Sequence, residues 1–322
     1  MMYILKKTTQ DELNRVQVNI AKELASEKII QELYDYIFST RGKKTRALLC
    51  LLASKSAKIK SNKRIALASV IELLHTATLV HDDVVDESER RRGMQSVNQV
   101  WTNSHSVLIG DFIYSKAFIL MVKLNISSIL DELANATNDI ARGEIIQLSL
   151  FEKKQCITLD DLLKISYLKT GRLFEASAKT GAMLASNSKK EIKTFGLLGK
   201  ALGTAFQIKD DILDYESKLD TGKTPLQDFR EGKITFPLYF ALKNASTKDK
   251  NFLLKKLGQP RLLKKDIKLI HQLIQTNETQ KELSSLMNKY TNETLKYLNQ
   301  LKHHPCYNEL LYLINLSHIR KI

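Results

Sequence analysis

Two clusters of aspartate stand out by type and spacing. The first is His81-Asp82-Asp83-Val84-Val85-Asp86. Asp82 and Asp86 are four residues apart, so on a helix they share a face and can hold a common cation. Carboxylates this close repel one another until a divalent ion neutralises them. Oxygen-only ligands favour Mg²⁺, which keeps several waters and is completed by substrate phosphates. One such cluster says little, because acidic helix faces are usually just solvated. The second cluster is Phe206-Gln207-Ile208-Lys209-Asp210-Asp211-Ile212-Leu213-Asp214. It puts Asp210, Asp211 and Asp214 on one side of a helix, with Gln207 one turn before Asp211. Both clusters interrupt apolar helices, where carboxylates without partners are costly. Two of them facing one cavity would clamp Mg²⁺ ions around a single diphosphate.

Several basic residues stand where an anion could use them, each beside a plainer reading. His75 precedes Asp82 by two helical turns, so it can face the same cavity or be a satisfied core histidine. Arg90-Arg91-Arg92-Gly93 reads as the end of the first aspartate helix, with Gly93 as its cap. Beside a metal–diphosphate site those arginines suit bidentate phosphate recognition. Lys43 and Arg46 follow Gly42 at a helix start, a solvated basic turn being the alternative. Lys169-Thr170-Gly171 brings an ammonium and a hydroxyl to a phosphate or is an ordinary helix break. Lys223 and Lys233 lie in a polar stretch where exposed lysine is the default.

The elements that must position these groups are helical. Leu13, Val16, Ile20 and Leu24 recur at three- and four-residue steps, and Ile65 to Leu79 is denser in apolar residues, as a helix buried on several sides requires. Further helices are expected near 105–124, 127–151, 159–186, 191–216, 234–243, 265–302 and 306–319. No convincing strand pattern and no repeat is found. Gly and Pro number only 12 and 4 in 322 residues, and every proline follows residue 224, which argues against turn-rich β architectures. Ser217 to Lys233 is the longest polar interruption, a candidate lid. No composition shift divides the chain, so one all-α domain over 1–322 is expected. The 43% hydrophobic and 26% charged fractions exclude wholesale disorder. The net charge of +15 points to an anionic partner without naming it. Cys50, Cys156 and Cys306 lack metal-like spacing and suggest reduced thiols. No apolar run reaches the length of a membrane span, and the N-terminus does not read as a signal or transit peptide. The protein is expected to be soluble and to work in the compartment where it is made.

The chain resembles the trans-isoprenyl diphosphate synthases (polyprenyl synthase family). The matching segments are Gly42 to Arg46, Glu72 to Gly93, Gly110-Asp111-Phe112, Gly143-Glu144, Lys169-Thr170, Phe206 to Tyr215, and Gly222-Lys223 through Gly232 to Pro237. They occur in order over most of residues 40–240. Arg41 stands where the family usually has a second glycine, Ala47 where proline is usual, and Arg90 adds a third arginine.

The resemblance implies a helical bundle of the isoprenoid synthase type around a central cavity. It also implies a reaction: an allylic diphosphate ionises, isopentenyl diphosphate attacks the cation, and a proton is lost. Asp82, Asp83, Asp86, Asp210, Asp211 and Asp214 would form the catalytic motifs, with Asp82, Asp86, Asp210, Asp211 and Asp214 holding Mg²⁺. Arg91, Lys169, Thr170, Gln207, Lys223 and Lys233 would take the allylic diphosphate, Lys233 closing with the 217–233 lid. Lys43, Arg46, His75 and Arg92 would take isopentenyl diphosphate. Ala77 and Thr78, one turn before Asp82, would set product length. Both are small where short-chain relatives tend to carry an aromatic, so products beyond four isoprene units, nonaprenyl among them, are expected, for a quinone side chain such as that of plastoquinone. A geranylgeranyl diphosphate synthase is the shorter alternative. A silent regulatory subunit would tend to lose an aspartate cluster, and a class I terpene cyclase would carry an Asn/Ser/Glu motif on the second helix. A nucleic-acid binder would show a basic stripe with aromatics, which is not found, so no nucleic acid is expected. The family is usually homodimeric. Usage heavy in Lys, Ile and Asn suggests an AT-rich genome, either a plastid one, with the enzyme in the chloroplast stroma, or a bacterial one, with the enzyme in the cytoplasm.

Overall fold

The computed structural model describes residues 6–25, 27–39, 42–55, 61–91, 93–151, 157–185, 188–216 and 226–318. The architecture is all-α. In chain order the elements are α1 (Lys7–Leu24), α2 (Lys28–Ser39), α3 (Thr45–Ala53), α4 (Ser61–Val85), β1 (Arg90–Arg91), β2 (Met94–Gln95), α5 (Val97–Val100), α6 (Asn103–Leu124) and α7 (Ser127–Phe151). After them come α8 (Leu159–Ser166), a π-helical turn (Tyr167–Gly171), α9 (Arg172–Leu184), α10 (Lys189–Glu216), α11 (Gln227–Arg230), α12 (Phe236–Asn244), α13 (Thr247–Lys256), α14 (Lys264–Ile274), α15 (Asn277–Asn299) and α16 (Tyr307–His318). The chain forms two compact units. The first takes the described parts of Met1–Thr137, Leu173–Gly199 and Tyr297–Ile319, and the second those of Asn138–Arg172, Lys200–Lys296 and Arg320–Ile322.

In the first unit α4 is the central element. It packs most extensively on α6 and also on α1 and α3. Ile65, Leu67, Ala68, Val70, Ile71, Leu73, Leu74, Ala77 and Val80 are all buried, so α4 is apolar around its circumference, as a core helix must be. By length and composition alone Asn62–Val85 would cross a membrane, but 67% of its apolar window is buried within the protein, which marks it as core. α1 buries Leu13, Val16, Ile20 and Leu24, the face its spacing predicts. Cys50 and Cys306 are buried free thiols, and Cys156 lies outside the described residues. Burial pushes both thiols up to about 12, so neither is a ready nucleophile.

The second unit is held by two apolar clusters. One gathers Tyr215, Leu226, Phe229, Ile234, Leu238, Leu253, Leu257, Ile270 and Ile274. The other gathers Leu162, Ile208, Phe236, Phe240, Leu283 and Leu286. α8 starts at a capping box in which the Thr158 hydroxyl and the Asp161 side chain satisfy each other's backbone N–H.

The structure departs from the helix pattern in four places. The 159–186 helix is interrupted by the π turn. The 265–302 helix is two, because α14 ends at Gln275, where the backbone turns non-helical, and α15 restarts at Asn277. The short helices α2 and α13 were not anticipated, since helices of this length carry few turns of period. The polar stretch up to Lys233 is not all loop: from Leu226 onward it is folded, because Leu226 and Phe229 are wholly buried and pull α11 into the core. Residues 217–225 lie outside the described residues.

Candidate active site

The first aspartate cluster lies where α4 ends. The Asp86 N–H donates to the Asp82 carbonyl at 2.8 Å, so the two aspartates span one closing helical turn. Both are partly exposed, whereas Asp83 is buried and accepts from Arg91 Nε at 2.7 Å. The helix stops here because Asp86, Glu87 and Glu89 put negative charge at its C-terminal end, against its dipole. Glu87 turns left-handed (φ 49°), and Arg90–Arg91 then pairs antiparallel with Met94–Gln95 around Gly93 (φ 82°), a conformation that favours glycine. The expected reading of these arginines as a glycine-capped helix end is therefore corrected. They form a hairpin whose root is tied to the aspartate helix by the Asp83–Arg91 ion pair. Arg92 lies outside the described residues.

A cleft opens beside this hairpin in the first unit. It holds about 710 Å³ of empty space, open solvent included, a size suited to a small phosphorylated ligand. Gly42, Lys44, Glu72, His75, Asp83 and Arg91 give it polar groups, and Tyr36, Phe38 and Leu79 give it apolar ones. Lys44 takes a left-handed conformation (φ 46°) at the start of α3. Arg46, nearly buried, approaches His75 Nε2 through Nη1 at 3.0 Å, and its guanidinium lies 4.5 Å over the Phe174 ring. Arginine only donates, so His75 Nε2 accepts and the ring carries its proton on Nδ1. Lys43 is exposed. Arg46 and His75 thus converge, and Arg91 lines the same cleft as His75.

The second cluster is built differently. Thr170 Oγ1 donates to Gln207 Oε1 at 2.6 Å, and Gln207 Nε2 donates to Asp211 Oδ1 at 2.6 Å. Thr170 and its neighbour Lys169 both lie in the π turn, and their side chains reach different partners. Lys169 pairs with Glu144 at 2.8 Å. Gly143, next to Glu144, lets α7 approach the turn, since a Cβ there would stand 2.7 Å from Leu168 Cβ. Asp214 accepts two backbone amides, Gln227 N–H at 3.2 Å and Asp228 N–H at 3.1 Å. Lys233 is mostly buried and pairs with Glu231 at 2.7 Å. It lies in the segment whose Leu226, Phe229 and Ile234 pack into the apolar cluster, so the part of the expected lid that carries Lys233 is folded against the second unit's core. Lys223 lies outside the described residues.

Charge is crowded in this second cluster. Burial pushes the Asp211 carboxyl up to about 7, with Asp210 and Asp214 adding to the rise and the Gln207 hydrogen bond opposing it. Burial likewise pushes Asp228 well above the usual carboxylate range, with Asp214 and Asp211 adding and Lys233 opposing. Desolvated carboxylates that raise one another's pKa are the donor set a divalent cation stabilises. Among the described residues no group of three or more His, Cys, Asp or Glu side chains is placed to hold a metal ion by itself.

A family model described as Polyprenyl synthetase matches residues 27–277. The chain belongs to the polyprenyl synthetase family. This polyprenyl synthetase is 40% identical over 240 residues to the octaprenyl diphosphate synthase of Escherichia coli (strain K12), covering 74% of each chain. It is 40% identical over 227 residues to the all-trans-nonaprenyl-diphosphate synthase (geranyl-diphosphate specific) of Rhodobacter capsulatus, covering 70% of this chain and 69% of that one. Its fold is similar to the crystal structure of a polyprenyl synthase from Caulobacter crescentus CB15 complexed with calcium and isoprenyl diphosphate. The TM-score is 0.90 at 30% identity, over 98% of this chain and 97% of that one. The isoprenoid synthase fold expected from the sequence is thereby established, and the enzyme is a prenyltransferase.

Two residues of the synthetase's second cluster escaped the sequence reading as site members. Glu144 was visible only as part of a matching segment, with no signal for its pairing with Lys169. Asp228 was one acid in a polar stretch, and only the fold brings it beside Asp211 and Asp214. Upstream of the first cluster, Ala77 is fully buried, and Thr78, partly buried, donates to the His75 carbonyl at 2.7 Å.

Proposed function

We propose that this synthetase condenses isopentenyl diphosphate with an allylic diphosphate and repeats the step to make a long all-trans polyprenyl diphosphate. The observation that carries the reading is the pair of aspartate clusters, each at a defined helical position within a chain of this family. Similarity to octaprenyl and nonaprenyl diphosphate synthases supports the long product. In the same reading Ala77, small and fully buried about one turn before Asp82, bounds the space for the growing chain. In this reading the whole chain works as one synthase domain.

Asp82 and Asp86 from the first cluster, with Asp210 and Asp211 from the second, would hold Mg²⁺, which supplies positive charge to the departing diphosphate when bound. Gln207 keeps its amide nitrogen toward Asp211 because Thr170 occupies its oxygen, so the orientation of Asp211 is set before substrate arrives. Arg46 and His75, with Lys43 and Arg92, take the diphosphate of the isopentenyl substrate. Arg91, Lys169, Thr170, Gln207, Lys223 and Lys233 take the allylic one, Lys169 exchanging Glu144 for a phosphate oxygen. No protein base is required, since released diphosphate can accept the proton.

The enzyme acts as a homodimer in this reading. Leu108, Phe118, Ile119 and Val122 are exposed on α6 at helical spacing, an apolar stripe suited to a second copy of the chain. Sedimentation velocity reads the mass directly. Incubation with Mg²⁺, isopentenyl diphosphate and a series of allylic primers, followed by mass spectrometry, tests the activity. Products longer than four isoprene units are expected, and a series ending at or below four would overturn the long-chain assignment.

A further inference from the structure

We propose that Asp214 is a positioning residue, which pins the segment carrying Asp228 and Lys233 to the second aspartate helix, and is not a metal ligand. The inference deepens the proposed function and rests on it for the meaning of the site. The two oxygens of Asp214 accept different backbone amides, Oδ1 that of Gln227 and Oδ2 that of Asp228. A carboxylate that accepts amide hydrogen bonds at both oxygens is oriented by the backbone, and one lone pair of each oxygen is already used. Leu226 N–H also donates to the Asp214 carbonyl at 3.4 Å, so the chain returns to α10 at this one residue.

What Asp214 secures has consequences for the neighbouring acids. The Lys233 N–H donates to the Asp228 carbonyl at 2.8 Å, so the turn held by Asp214 carries both side chains. Tyr215, the next residue of α10, is buried in the cluster that also takes Leu226, Phe229 and Ile234. The apolar contacts fix the depth of the segment, and the carboxylate fixes its register along α10. Asp210 and Asp211 lie one turn earlier on that helix. Without Asp214, residues 226–228 lose two charge-assisted hydrogen bonds, and Lys233 loses its placement relative to Asp210 and Asp211.

The test compares Asp214→Ala, Asp210→Ala, Lys233→Ala and the Asp214→Ala/Lys233→Ala pair in the full-length enzyme. Amide hydrogen exchange at Gln227 and Asp228 should quicken at least ~10-fold in Asp214→Ala. Its half-saturating Mg²⁺ should stay within ~2-fold of wild type, while that of Asp210→Ala rises ~10-fold or more. The double variant should lose little more turnover than either single one, because both remove the same placement. A tenfold rise in the Mg²⁺ requirement of Asp214→Ala, unchanged exchange at the two amides, or full additivity with Lys233→Ala would each overturn the proposal. If the alanine variant does not fold, Asp214→Asn is used: it keeps one acceptor oxygen, so exchange should quicken at one of the two amides, and the Mg²⁺ and additivity criteria stand. Absence of any polyprenyl product from the wild type would instead sink the proposed activity, leaving the exchange measurement to decide the role of Asp214.

Discussion

The two aspartate clusters share a sequence pattern and differ in how their charge is managed. At the end of α4 the buried Asp83 is matched by the Arg91 guanidinium, while Asp82 and Asp86 keep contact with solvent. Within α10 the buried Asp211 has a neutral amide as its hydrogen-bonded side-chain partner and two like charges on its own helix. In the first cluster the buried carboxylate is neutralised by its ion pair, and the other two stay in contact with solvent. The second carries a repulsion that a bound cation removes. A motif read as one letter pattern thus sits in two environments, and the surroundings decide how its buried carboxylate is balanced.

The largest expected effect is on turnover. Asp82→Ala and Asp211→Ala should each lose at least ~10²-fold in kcat in a steady-state product assay, the scale of removing one preorganised charge stabiliser. Asp83→Ala acts through Arg91 and should lose less than either. Equal losses at all three positions would erase the distinction between ligand and ion-pair aspartates.

Next in size is the separation of substrates. Arg46→Ala should raise the KM for isopentenyl diphosphate by about 30-fold, roughly 2 kcal/mol, as expected when a buried charge contact is truncated. Gln207→Ala should act mainly on the allylic substrate and on kcat. Initial-rate kinetics with each substrate varied in turn read the two effects. If both variants changed both Michaelis constants alike, the cleft beside α4 would not be a separate pocket.

A smaller effect is on stability, and its sign follows from burial. The folded-state pKa of Asp211 is raised from its ordinary 3.8 to about 7, so the folded state holds this proton more tightly than the unfolded chain. Metal-free protein should therefore lose stability as pH rises from about 4 to about 7 and level off above that. Asp211→Asn should remove this loss and stabilise the metal-free protein by on the order of 2 kcal/mol at pH 8. Urea denaturation at several pH values in EDTA measures it. A destabilised Asp211→Asn at pH 8 would show that the second cluster is not under repulsion.

The least effect on rate is expected from Ala77→Phe, which should shorten products to three or four isoprene units with the first condensation intact. Ala77 is fully buried, so if it were only a packing residue the phenylalanine would overpack the core and lower stability by ~1–3 kcal/mol with lengths unchanged. Mass spectrometry of products together with a melting curve separates the two outcomes.

Much of this protein is determined by local sequence. The three- and four-residue apolar spacing of α1, the all-round apolarity of α4 and the spacing of both aspartate clusters depend only on helical period, which any window of residues displays. A shared substrate role for Arg46 and His75 is implied by the family-specific segments they lie in, whereas their pairing appears only in the fold. Other features were decided by tertiary structure. The hairpin at Arg90–Gln95 replaces a helix end because Asp83 recruits Arg91. Lys169 meets Glu144 and Thr170 meets Gln207 only in the folded chain, and the polar stretch after α10 folds because Leu226 and Phe229 join an apolar cluster that reaches Ile270 and Ile274. The crowding of Asp211, Asp214 and Asp228 is of the same kind. A pKa depends on desolvation and on charges brought near by folding, and neither is a property of residue order along a helix.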